Sequence, residues 1–303
     1  LVDDNVDIVD CEPAPQPEPQ AQAKTARVRA PQGLSGVLVL ASAFFLIFFA
    51  YSAAQNLQTS LEGMTGYVRV IYVVFAISSL FVPSLIATIG EKRVLIIGGA
   101  LYVPFLFVNA HPVVWLMVPA SFLTGIGAGC IWAAQGSALV KLAGSGERLG
   151  LASGIFFVIY QANGVLGNLF TGIFLGSGHD LAVFITFGVM GILGTLLFLP
   201  LRVPTNKELA AQKQGSPREA PSDEEQGPTM AQKLASSFRI IFSKRMLWMV
   251  VPLVFSGTTT ALFMGKFPAI IGTPKLSYVM ALLAAVDAVA FEQPLLDIFF
   301  WNL

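Results

Sequence analysis

Hydrophobic residues fall in six long runs between Gly36 and Pro200, at about 35–56, 67–89, 94–110, 113–138, 149–174 and 181–200, with almost no charge inside them. A polar segment over 201–246 follows, with Pro204, Pro217, Pro221, Pro228 and the acidic run Asp223, Glu224 and Glu225. Hydrophobicity resumes over 247–268, and an eighth run begins near Ser277 and loses its character at Glu292. About 20 apolar residues are what the hydrocarbon core of a bilayer demands. The runs lack the period-two alternation of barrel strands, so each predicts a transmembrane helix. The expected fold is all-α and polytopic: a six-helix N-terminal half plus the start of a second half.

Composition points the same way. Mean hydropathy is +0.71. Charged residues make up 12% of the chain, about half the share in soluble domains. The net charge of zero gives no basic balance that would suggest nucleic acid. Cys11 lies in a polar tail and Cys130 in a span, so neither a disulfide framework nor a metal site is expected, and no cofactor.

The expected domains are a cytoplasmic tail (1–33), a six-helix half (34–200), a cytoplasmic loop (201–246) and the first spans of the second half (247–303). The tail is acidic, then proline-rich, and cannot bury a core. The chain opens on Leu1 and its end after Phe291 does not continue a span, so both ends are expected to be truncated, with about four spans missing. Alternating spans put Lys24, Arg27, Arg29, Lys92, Arg93, Lys141, Arg148, Arg202 and the bases of the 201–246 loop on one side. Arg69, Lys266 and Lys275 fall on the other. The positive side is cytoplasmic, which places the N-terminus there in an integral membrane protein. Six spans, a long cytoplasmic loop and further spans resemble the major facilitator superfamily, whose two halves flank a midplane site. Gly90-Glu91-Lys92-Arg93 fits that superfamily's basic loop after the second span, although Ala87 stands where an acid is expected.

Uncharged amides inside spans must find partners away from lipid. Tyr51, Gln55 and Gln58 share one helical face of the first span; Trp132 and Gln135 share one in the fourth; Gln161, Gly164 and Asn168 share one in the fifth. Two readings stand for them: hydrogen-bonded glue between helices, or the lining of a central cavity. The small-residue pairs Gly125/Gly129 and Gly150/Gly154 predict close helix packing. Asp287 is the one acid inside an expected span, with coupling or polar packing as its roles.

Several strings, in order, resemble the Unc-93-like family, a divergent branch of the facilitator superfamily. They are Tyr51 with Gln55 to Leu61, Trp132 to Gln135, and Gly154 to Phe157 with Gln161 and Gly164 to Asn168. Ser78 to Pro83, Gly90 to Lys92, and Phe238 through Gly257 also fit. The likeness covers about 36–290 and implies twelve spans. It also implies a non-enzymatic regulator of an ion channel, notably of potassium conductance, or a trafficking chaperone, with a channel subunit or client membrane protein as partner. Thr258 to Ala261 and Lys266 depart from the family pattern. The alternative is a facilitator-type carrier of a small solute. Nothing suggests an enzyme: His111 and His179 are lone loop histidines, and the glycine-rich pieces lie within spans rather than after a strand.

Overall fold

In the computed structural model, the structure describes residues 33–60, 65–144, 146–174, 180–206, 208–209 and five positions between 248 and 258. The seventh and eighth expected spans, Asp287, the tail and most of the 201–246 loop lie outside those residues. Six helices are described: α1 (Leu34–Ser60), α2 (Thr65–Ile89), α3 (Glu91–Val108), α4 (Val114–Ala143), α5 (Glu147–Phe174) and α6 (Asp180–Leu196). They coincide with the six apolar runs, and no strand occurs among the described residues.

Four of them, α1, α2, α4 and α5, are long and apolar enough to cross a membrane. Helix α3 has 18 residues but opens with Glu91, Lys92 and Arg93, and α6 has 17. At 1.5 Å per residue these two span about 26–27 Å, a little short of the ~30 Å hydrocarbon layer. The outward faces carry Val73, Ile77 and Phe81 on α2 and Val158, Leu166 and Ile173 on α5, all exposed. A soluble helix would place charge there; in a bilayer these side chains meet lipid. The fold is therefore that of an all-α polytopic membrane protein.

Packing partners give the direction of each helix. Phe44 meets Phe156, Phe48 meets Tyr160 and Ser52 meets Asn163, so α1 and α5 run parallel. Gly125 abuts Ile71 and Val74, and Gly129 abuts Ser78, so α2 and α4 are parallel too. Gly98 against Ile131 and Glu91 against Lys141 make α3 and α4 antiparallel. Gly99 against Thr195 and Gly191 against Leu106 do the same for α3 and α6. The chain thus alternates direction at each helix. It brings the start of α1, the 90–93 turn, the 144–146 turn and Leu201 to one end.

The contacts have an internal symmetry. Helix α4 packs on α2 and α3, α1 packs on α5 and α6, and α3 meets α6. Exchanging α1–α3 for α4–α6 maps this pattern onto itself, as in a bundle built from two three-helix repeats.

Glycines permit the closest approaches. A Cβ on Gly125 would stand 2.6 Å from the Val74 Cβ and 2.7 Å from the Ile71 carbonyl oxygen; one on Gly127 would stand 2.7 Å from the Gly98 carbonyl oxygen. Ser78 uses the proximity to donate across to the Gly125 carbonyl at 3.3 Å. The Gly125/Gly129 pair therefore packs α4 on α2. Gly150 and Gly154 do not behave as expected: no described atom lies within 4 Å of a Cβ at either. Helical spacing aligns them on one face, but no described neighbour faces it.

Candidate functional site

Helix α1 is the hub of the polar interior. Its hydroxyl and amides at 52, 55 and 58 step around the helix by about 60° at each interval, so each reaches a different neighbour. Ser52 donates to Asn163 Oδ1 on α5 at 3.0 Å. Gln55 Nε2 donates to the Tyr72 hydroxyl on α2 at 2.9 Å. Gln58 Nε2 donates to Oδ1 of Asn109, the C-cap of α3, at 2.5 Å. Asn109 in turn donates through Nδ2 to the Phe105 carbonyl at 2.7 Å. Gln58 Oε1 is buried and has no hydrogen-bond partner among the described residues, and the same holds for the Ser121 hydroxyl on α4.

Beside this lies an aromatic cluster. Phe44 and Phe48 from α1, Tyr102 from α3, Trp132 from α4, and Phe156 and Tyr160 from α5 touch one another. Phe48, Trp132 and Tyr160 stand mutually edge-to-face, with centroids 5.2–5.4 Å apart, the arrangement that ring quadrupoles favour. Tyr51 joins through Tyr102 at 5.1 Å.

The residues singled out in the sequence divide as follows. Tyr51, Gln55, Gln58, Gln135 and Asn168 are buried, and Trp132 and Gln161 are half-buried. Tyr51, Gln55 and Gln58 lie together on the inward side of α1. Asn168 turns its amide back to the Gly164 carbonyl one turn away, at 2.6 Å. The pattern missed Asn163, which is more deeply buried than Gln161, accepts from Ser52 and donates to the Tyr160 carbonyl. It also missed Asn109, at the end of the third apolar run, and Tyr72, inside the second. Their partners are 51 and 17 positions away, so no local period marks them.

A charged group sits at one end. Glu91, the first residue of α3, pairs with Lys141 in the last turn of α4 at 2.5 Å and accepts from the Ser137 hydroxyl at 2.8 Å. Each charge also complements its own helix dipole. Burial alone would raise the Glu91 pKa. The Lys141 contact, a backbone hydrogen bond and Ser137 outweigh it and hold the carboxyl below its ordinary range. Among the described residues no group of acids, histidines and cysteines could hold a metal ion.

The sequence model of a family described as "Ion channel regulatory protein UNC-93" matches residues 58–292. Protein unc-93 homolog A of Bos taurus is 28% identical over 84% of this chain and 66% of its own length. UNC93-like protein 3 of Arabidopsis thaliana is 30% identical over 84% of this chain and 58% of its own length. The Caenorhabditis elegans protein named as a potassium channel regulatory protein, unc-93, is 34% identical over 45% of this chain and 21% of its own length. The chain thus spans roughly three fifths of the length of the relatives that match most of it. A match across three quarters of the residues, on a bundle of apolar helices, settles the family: the chain belongs to the Unc-93 family of integral membrane proteins.

Proposed function

We propose that the protein is a non-enzymatic regulator of an ion channel, acting on potassium conductance, or an escort of a client membrane protein. Family membership motivates the reading. One observation carries it: residues 36–60, 94–140 and 149–174, which hold most of α1, α3, α4 and α5, contain no Asp, Glu, Lys or Arg. Carriers driven by ion gradients place such groups inside spans. In this reading the bundle is the N-terminal half of a facilitator-type fold, with two six-helix halves and segments 1–33 and 201–246 as cytoplasmic surfaces. The end holding Lys92, Arg93, Lys141, Arg148 and Arg202 then faces the cytoplasm. Deleting the gene and measuring whole-cell potassium current and client surface level tests it. Reduced current or surface level is expected; no change in either rejects the proposal.

A second reading, a facilitator of a small solute, draws on Gln135, a buried amide of α4 with no hydrogen bond to any described residue. Uptake into proteoliposomes that is abolished by Gln135→Leu at equal protein level separates it from the first.

A further inference from the structure

Trp132 and Gln135 lie one turn apart on α4, and both have unmet hydrogen-bonding capacity. Gln135 is only 6% exposed. Its amide makes no hydrogen bond to a described residue, whereas the amides of Gln55 and Gln58 have found Tyr72 and Asn109. Its side chain is packed, yet its amide nitrogen and oxygen are not among the fully buried unpaired atoms, so they reach an accessible surface where a ligand could meet them. Trp132 is half-buried, and its indole N–H has no acceptor among the described residues. Its other faces are fixed by Phe44, Phe48 and Tyr160, with centroids 5.4–5.5 Å away. Immediately beyond, a Cβ on Gly136 would meet nothing within 4 Å, so the approach is open.

We propose that Trp132 and Gln135 form a binding site for an uncharged, planar ring compound with a donor–acceptor edge, such as a heteroaromatic base. The ring would pack against the accessible portion of Trp132, and the Gln135 amide would supply one donor and one acceptor to its edge. Two observations select this class. No charged side chain occurs in the surrounding stretches 36–60, 94–140 and 149–174, so a fixed charge on the ligand would go uncompensated. A cation could be held by ring faces alone. Here, however, Phe48, Trp132 and Tyr160 turn edges to faces at interplanar angles of 62–87°, so they form a packed wedge and not a cage of parallel-walled faces.

This rests on the second reading and names the ligand class for its site; binding without uptake would reject the carrier alone, whereas uptake without adenine binding would reject the ligand class alone. The test uses the full chain purified in detergent, with equilibrium dialysis of radiolabelled adenine and, as charged comparators, benzoate and tetramethylammonium. Saturable adenine binding is expected, with both comparators bound at least tenfold more weakly. Gln135→Leu is expected to weaken adenine about tenfold, the loss of one buried amide's hydrogen bonds. Trp132→Phe keeps the packing and weakens it less. Thr195→Val, at a buried hydroxyl on α6 that bonds only the Gly191 carbonyl among the described residues, leaves adenine affinity unchanged. Gel filtration confirms that each variant is folded. Absence of saturable adenine binding, equal or tighter binding of either ion, or full affinity in folded Gln135→Leu overturns the proposal.

Discussion

Gly125→Ala tests how α4 is seated on α2. The new Cβ would lie 2.6 Å from the Val74 Cβ and 2.7 Å from the Ile71 carbonyl oxygen. Carbon atoms pack comfortably at about 3.5 Å or more, so the two helices must part locally by close to 1 Å. A gap of that size forfeits about a quarter to a half of the dispersion energy of the atoms lining it. Overpacking of this kind costs about 1–3 kcal/mol. Alanine recovers about 1 kcal/mol through its better helix propensity. The carbonyl cannot rotate away as a flexible side chain could, so the net loss should be about 1–2 kcal/mol. For a domain of this size each kcal/mol moves Tm by about 2–4 °C, which predicts a fall of about 2–8 °C. Gly154→Ala is the matched control: the same substitution inside α5, with no described atom within 4 Å of the added carbon. It keeps only the propensity gain and should leave Tm unchanged or raise it by about 2–4 °C. Fluorescence-detected gel filtration after heating measures both. Equal stability of Gly125→Ala and the parent, or an equal loss in Gly154→Ala, would refute the packing argument.

Three further predictions concern the polar contacts. The Glu91 carboxyl is held below its ordinary range in the folded state, so its stabilisation is present above the ordinary glutamate pKa of about 4.3 and is lost as pH falls through the depressed folded value. Glu91→Gln should lower Tm at pH 7 by the equivalent of about 1–2 kcal/mol and flatten the acid limb of a Tm-versus-pH profile; an unchanged limb would count against the Lys141 pairing. Asn163→Leu leaves the Ser52 hydroxyl unpaired and should cost about 1–2 kcal/mol, and a double-mutant cycle with Ser52→Ala should show a coupling near 1 kcal/mol by thermal unfolding. Gln58→Met removes both a donor to Asn109 and an unpaired buried oxygen, so its net cost should stay within about 1 kcal/mol. Asn109→Leu strands the Gln58 amide and uncaps α3, and should cost about 2–4 kcal/mol; equal losses in the two would show that Gln58 Oε1 has a partner.

The sequence determined the solvent and, from it, the helices. In a bilayer the backbone has no water to bond, so an apolar run of sufficient length can only be a helix, and charge marks where it leaves the membrane, while Pro83, Pro104 and Pro119 sit inside α2, α3 and α4. That is why all six runs reappear as α1 to α6. The largest difference in extent is at the end of α4, which continues past the expected 138 to Ala143. There Lys141 finds Glu91 on another helix, a contact that hydropathy does not register. The helical period likewise placed Tyr51, Gln55 and Gln58 on one face of α1.

Only the tertiary structure decided which neighbour each face meets. Gly125/Gly129 and Gly150/Gly154 have the same spacing, yet the first pair lies under α2 and no described residue covers the second. Asn163 and Gln161 are both amides in an apolar helix, yet Asn163 is the one that meets Ser52, 111 positions away. Periodicity relates residues within a turn or two of one helix. A hydrogen bond or a 2.7 Å approach between helices depends on how two separate cylinders are rotated and offset, and that is fixed jointly by all the side chains between them.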